Sequence, residues 1–98
     1  MANSTITQQN AFPKYIGQTP NPGETNYITV NLDNYCDSNG TYAIATRGCI
    51  VFFNKTSIGY TILGFFEMDD ITPPSITGTQ MTVYTGGWYI SGNIYKLL

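Results

Sequence analysis

From residue 41 to residue 66 the chain reads TYAIATRGCIVFFNKTSIGYTILGFF, its densest run of apolar and β-branched positions. The pattern predicts three adjoining strands of one sheet. Residues 42–46 alternate, Arg47 and Gly48 break the alternation, and residues 49–53 are continuously apolar. Residues 54–57, NKTS, read as a polar turn. Residues 58–66 then resume as a strand, with Gly59 and Gly64 expected at bulges or close backbone approaches. Upstream, residues 27–32 alternate cleanly, with Ile28, Val30 and Leu32 on one face and Tyr27, Thr29 and Asn31 on the other. Residues 33–40 form a turn-rich loop in which Asn39 and Gly40 give the strongest reversal signal. Downstream, residues 80–84 place Met81 and Val83 on one face. Gly86 and Gly87 are expected to turn a hairpin into Trp88, Tyr89 and Ile90, and residues 91–93 turn again into residues 94–98.

No segment shows a 3.6-residue period with capping residues, so no substantial α-helix is expected. The fold class is therefore all-β: a small antiparallel β-sandwich or barrel of six to eight short strands. The run at residues 49–53 sharpens this picture. A continuously apolar strand needs cover on both faces. A chain of 98 residues has strands enough for one face. The second is left to the N-terminal segment, the C-terminal hairpin or a neighbouring subunit.

Residues 1–26 read differently. They hold Pro13, Pro20 and Pro22 among many Asn, Gln and Thr, with neither a helical period nor sustained alternation. This is an extended polar arm with a turn near Pro20 and Pro22, followed by a single β domain over residues 27–98. Phe12 and Tyr15, with their neighbours Ala11 and Ile16, are small apolar anchors for docking on the body or on a neighbour. Ordering such an arm costs more conformational entropy than it recovers alone, so a partner surface is the natural compensation.

Composition supports a covered surface. Charged residues make up only 10% of the chain, against about 25% in an ordinary soluble domain. The remaining surface must be Thr, Asn, Ser, Gln, Gly and Tyr, or be shielded by another chain. Only Lys14, Arg47, Lys55 and Lys96 are basic, and the net charge is −2. With no clustered cations to neutralise phosphates, nucleic acid is not an expected partner. Neither is a membrane, because the longest apolar run is about six residues and a spanning helix needs roughly 20. The opening MANSTITQQN lacks the basic and apolar regions of a signal peptide, so synthesis in a cytoplasm is expected. There Cys36 and Cys49 are expected as reduced thiols, at least one of them buried and Cys49, inside the apolar run, the first candidate, although in an oxidising compartment they could close one loop.

Recognisable chemistry is missing from the pattern. The chain has no histidine, which removes His-dependent nucleophilic sites and imidazole zinc sites. Phosphate-binding glycine motifs do not occur. The acidic group Glu67, Asp69 and Asp70 could be read as a cation site or an acid–base pair, but it fits better as a solvated turn at a sheet end. The stretch from Asp33 to Gly40 fails the calcium-loop pattern at its first and last ligand positions. Asn3, Asn39 and Asn54 match the N-glycosylation pattern, as chance allows in an Asn- and Thr-rich chain. The expectation is a non-enzyme with no cofactor and no metal. Tyr84, Trp88, Tyr89 and Tyr95 cluster in the C-terminal sequence, either as a platform for sugar rings or, preferably, as core or subunit interface. With Phe12 and Tyr15 they make up the candidate interface residues.

Three features, the polar arm, the low-charge Thr/Gly/Tyr-rich body and the C-terminal strand GGWYISGNIYKLL, together resemble small β-structured virion proteins of tailed bacteriophages. That group includes capsid auxiliary (decoration) proteins and the modules of head and tail fibres. The resemblance covers the whole length but is one of texture, and no functional residue is carried over. It implies a structural protein of the virion, bound to the capsid or part of a fibre and assembled in the host cytoplasm. Its expected partners are other virion proteins and further copies of itself in a homo-oligomer. The alternative is a carbohydrate- or receptor-binding fibre tip that uses the C-terminal aromatic hairpin.

Overall fold

The computed structural model describes residues 13–20, 26–68, 72–87 and 90–98. Its strands follow the alternation in the sequence. In β2 (Tyr27–Asn31) Ile28 and Val30 point inward, and in β7 (Gln80–Tyr84) Met81 and Val83 do the same. The two strands pair antiparallel with Ile28 opposite Val83 and Val30 opposite Met81, so their apolar sets share one face. The three-residue β6 (Ser75–Thr77) completes a three-stranded sheet in the order β2-β7-β6.

The second sheet has five strands in the order β1-β8-β3-β4-β5. They are β1 (Lys14–Gln18), β3 (Gly40–Ala45), β4 (Cys49–Thr56), β5 (Gly59–Glu67) and β8 (Asn93–Lys96). β3, β4 and β5 lie side by side, as the central hydrophobic stretch predicts. All pairings are antiparallel, and the two sheets do not close into a barrel. The architecture is sandwich-like, with eight strands and, among the described residues, no helix beyond a 3-10 turn at Leu32–Asn34.

The core lies between the sheets. Tyr42, Ile44, Val51, Phe53 and Ile94 face Ile28, Val30, Leu32, Met81 and Val83, all of them fully buried. Each such side chain contributes about 1.5–3 kcal/mol by leaving water. The Tyr42 and Phe53 rings stack with centroids 5.6 Å apart. The Tyr42 hydroxyl keeps a partner despite burial, donating to the Ser38 carbonyl at 2.6 Å.

Three expectations change. The division at residue 27 places inside the arm a strand that belongs to the sheet: β1 pairs with β8, and Ile16 packs against the core. Thr19 then locks this strand in place. Its amide and hydroxyl donate to the Gly92 carbonyl at 2.7 and 2.9 Å, and its hydroxyl accepts from the Gly92 amide at 2.5 Å. The rest of the expected arm, residues 1–12 and 21–25, lies outside the described residues.

The turn expected at residues 54–57 comes later. β4 runs on to Thr56, and the reversal falls on Ser57 and Ile58 because Gly59 takes φ 138 and the Thr56 hydroxyl accepts from the Ile58 amide. The turn-rich loop expected at residues 33–40 is present, and it carries the chain from β2 in one sheet to β3 in the other.

The hairpin expected at Gly86 and Gly87 does not form, because β7 takes both its partners, β2 and β6, from the smaller sheet. The following strand, β8, inserts between β1 and β3 of the larger one. What makes this crossing possible is a close approach of two glycines. A Cβ on Gly48 would lie 2.6 Å from the Tyr84 ring and 2.7 Å from the Gly86 Cα, and Gly86 itself has φ 78.

Candidate interaction surface

The register of the five-stranded sheet decides what its outer face carries. Tyr15 of β1 stands opposite Tyr95 of β8, Tyr95 opposite Ala43 of β3, Ala43 opposite Phe52 of β4, and Phe52 opposite Gly64 of β5. Side chains directly opposite in a ladder share a face. These five positions therefore form one row across the whole sheet. The neighbouring row runs Gln18, Asn93, Ala45, Ile50 and Phe66. On its other side the patch gives way to the polar set Thr41, Asn54 and Thr61.

None of these positions carries a charge. Tyr15 is 54% exposed, Ile50 41% and Phe66 72%. The Tyr15 and Tyr95 rings meet edge to face with centroids 5.7 Å apart. A shallow recess of about 280 Å³ adjoins the patch where Ile50, Phe66 and Met68 meet Thr46 and Arg47. The alternation inside the run 49–53 is the cause. Cys49, Val51 and Phe53 go inward and are buried, which turns Ile50 and Phe52 outward. Among the described residues no element lies over them. The β1 part of the arm extends the sheet at its edge instead of covering this face.

The candidate interface residues separate into groups. Tyr15 and Tyr95 come together on the outer face. Tyr84 lies elsewhere, on the smaller sheet, with its ring 5.5 Å from that of Tyr27 and packed over Gly48. A single aromatic hairpin joining Tyr84 and Tyr95 is thus ruled out by the topology. Phe12, Trp88 and Tyr89 lie outside the described residues. The residues that sequence reasoning did not single out are Ile50, Phe52 and Phe66. The signal for them was present in the need of residues 49–53 for cover on both faces. What the sequence alone lacked was the register that sets Phe66 beside Ile50.

The ionisable groups are engaged elsewhere, around the core rim. Lys96 Nζ sits 5.3 Å from the centre of the Tyr42 ring and donates to Ser38 Oγ at 2.6 Å. Lys55 Nζ donates to the Cys36 carbonyl and lies 5.6 Å from the Tyr60 ring centre. The Tyr60 hydroxyl donates to Asp33 Oδ1 at 2.6 Å; burial first, and then this bond, raise its pKa above the ordinary phenol range. Cys36 and Cys49 are both free and buried. Cys36 neighbours Lys55 while Cys49 begins the same strand, about 20 Å of β-strand away, so the two do not form a disulfide. Burial pushes the Cys36 thiol up to about 12 and the Cys49 thiol up to about 11. Neutral, buried thiols of this kind are poor nucleophiles.

Among the described residues, no three His, Cys, Asp or Glu side chains gather as a metal-binding group. Asp69 and Asp70, two of the three acidic residues read as a sheet-end turn, lie outside those residues. No described helix is long and apolar enough to cross a membrane. Comparison with protein families, with characterised proteins and with solved structures finds no match to this chain.

Proposed function

We propose that this chain is a non-enzymatic structural module that holds protein surfaces together in an assembly, of the kind formed by the small β-structured virion proteins it resembles. One observation carries the reading. An uncharged face crosses all five strands of the larger sheet, from Tyr15 through Tyr95, Ala43 and Phe52 to Phe66 and Ile50. Antiparallel sheets normally bury one face and give the other to water, with polar residues outward. Here, apart from Gln18 and Asn93 at one end, the two outer rows carry aromatic and aliphatic side chains or glycine in place of the usual polar ones. Exposed apolar patches of this continuity mark contact surfaces. Tyrosine at the rim and Phe or Ile at the centre is the composition of a protein interface, where charge is depleted at the core.

In this reading Ile50, Phe52 and Phe66 are the anchors, and Tyr15 and Tyr95 form the half-wet border. The partners are other virion proteins and further copies of the chain. The test is incorporation. Particles purified from the source that encodes the chain should contain it. A variant carrying Ile50→Ser and Phe52→Ser, folded as judged by circular dichroism, should be missing from them. Particles that lack the wild-type chain, or that take up the variant equally well, overturn the proposal. Reproducible binding of the wild-type chain on a glycan array, abolished by Trp88→Ala, would replace it with the sugar-recognition reading.

A further inference from the structure

We infer that β5 is the surface through which two copies of this chain join, edge to edge, into one continuous sheet. The two sheets have four edge strands: β1, β5, β2 and β6. Free edges offer unpaired amides and carbonyls to any passing strand, and proteins blunt them with short length, proline, charge or bulges. Three of the four are blunted. β1 is five residues long, carries Lys14 after Pro13, and is broken by a bulge between Tyr15 and Gly17. β6 has three residues and follows Pro73 and Pro74. β2 has five and turns only Tyr27 and the polar Thr29 and Asn31 away from the core. β5 is the longest of the four, nine residues with no charge before Glu67 at its end, and its one interruption is a bulge at Leu63.

A bulge at Leu63, where the register with Phe52 and Phe53 shifts, divides β5. The half beyond it is the exposed half. Phe66 is on the outer face. Phe65 pairs with the buried Val51 and so points inward, yet it remains 41% exposed. Leu63 is 58% exposed. A strand whose side chains are uncovered on both faces is finished best by another strand.

The sequence of this half complements itself. Two copies paired antiparallel about a two-fold axis at Phe65 place each Phe66 opposite the other copy's Gly64 on the outer face. The space over Gly64 is open, with no atom within 4 Å of where a Cβ would stand. An aromatic ring laid across a glycine in a neighbouring strand fills that gap. The two Phe65 rings meet on the inner face, and each Glu67 falls opposite Leu63, so no like charges oppose one another. A second copy is favoured over other occupants because it brings the matching Gly64, Phe65 and Phe66 on this same edge strand. Isologous pairing also closes the assembly at two, whereas pairing β5 with a neighbour's β1 would run on into a filament.

The inference rests on the assembly reading and deepens it by naming the contact between copies; it shares Phe66 and Gly64 with that face, and its tests turn on Phe65, which points the other way. The contact is an edge with few side chains, in the class of small interfaces, so mass should rise with concentration. Light scattering on the full chain should show a monomer passing to a dimer. Phe65→Lys places two ammonium groups face to face at the axis and should hold the protein monomeric while circular dichroism stays unchanged. Phe65→Cys is the gentler probe. Directly opposed residues lie about 4.5–5.5 Å apart at Cα, within disulfide range, and mild oxidation should link the copies while the buried Cys36 and Cys49 stay silent. A wild-type monomer at every concentration, a dimer that survives Phe65→Lys, or a Phe65→Cys chain that does not cross-link overturns the inference. None of these outcomes touches incorporation through Ile50 and Phe52, which face the other side of the sheet.

Discussion

The seam between the sheets comes down to two residues with no side chain. Gly48 ends the β3–β4 connection and Gly86 follows β7, and their backbones lie in contact under the Tyr84 ring. A methyl group at Gly48 would sit 2.6 Å from Tyr84 and 2.7 Å from the Gly86 Cα. The ring can swing aside, but the backbone of Gly86 cannot without moving β7. Gly48→Ala should therefore destabilise the fold by about 1–3 kcal/mol, the usual cost of overpacking, measured as a lower urea midpoint at unchanged slope. Trimming Tyr84 as well should recover only the part of the loss that belongs to the ring. The two thiols make a second prediction at this scale. Both folded pKa values lie above the ordinary thiol value of 9.0, at about 12 for Cys36 and about 11 for Cys49. In that window the unfolded chain gives up protons that the folded chain keeps. The stability contributed by these neutral thiols is full below pH 9 and falls away as pH rises through the folded values. Denaturation midpoints taken at rising alkaline pH should drop more steeply in the wild type than in a Cys36→Ala, Cys49→Ala variant. Tyr60, also raised, adds to the slope in both proteins.

At the level of elements, strands 2 to 5 and 7 were legible because each carries its own alternation or apolar run, a local signal. β1 was not, since KYIGQ is five residues with one glycine and a bulge, and its strand character comes from its partner β8. The crossing after β7 was hidden for a related reason. Two glycines are the ordinary signature of a hairpin, and only the competition of β2 for the free side of β7 sends the chain elsewhere. This bears on truncation. Removing residues 1–12 leaves β1 whole and gives the reference against which the strand is judged. Removing residues 1–26 takes away β1, the packing of Ile16 and the Thr19–Gly92 hydrogen bonds. It leaves the Gly92 amide without its buried partner, a loss of about 1–3 kcal/mol by itself. That shorter chain should show a clearly lower thermal midpoint. Equal midpoints for the two truncations would mean that β1 adds nothing to the fold.

For the whole molecule, the charge deficit and the topology have a common consequence. Two of the four basic groups, Lys55 and Lys96, are tied to carbonyls and rings at the core rim. The outer face of the larger sheet carries none at the positions its register defines. Charged groups, Arg47 and Glu67, stand only at the border of that face, so the free energy of association through it comes mainly from removing apolar surface from water. Such a contact answers to salt in a characteristic way. Sodium chloride screens charges and has little to act on here. Sulfate, excluded from protein surface, strengthens apolar burial. In the assembly proposed above, washing with rising sodium chloride should therefore leave this chain in place, while sulfate should tighten its retention and urea release it. Retention that collapses in moderate chloride would mean that charge holds the contact, and the apolar face would then not be what joins this chain to its neighbours.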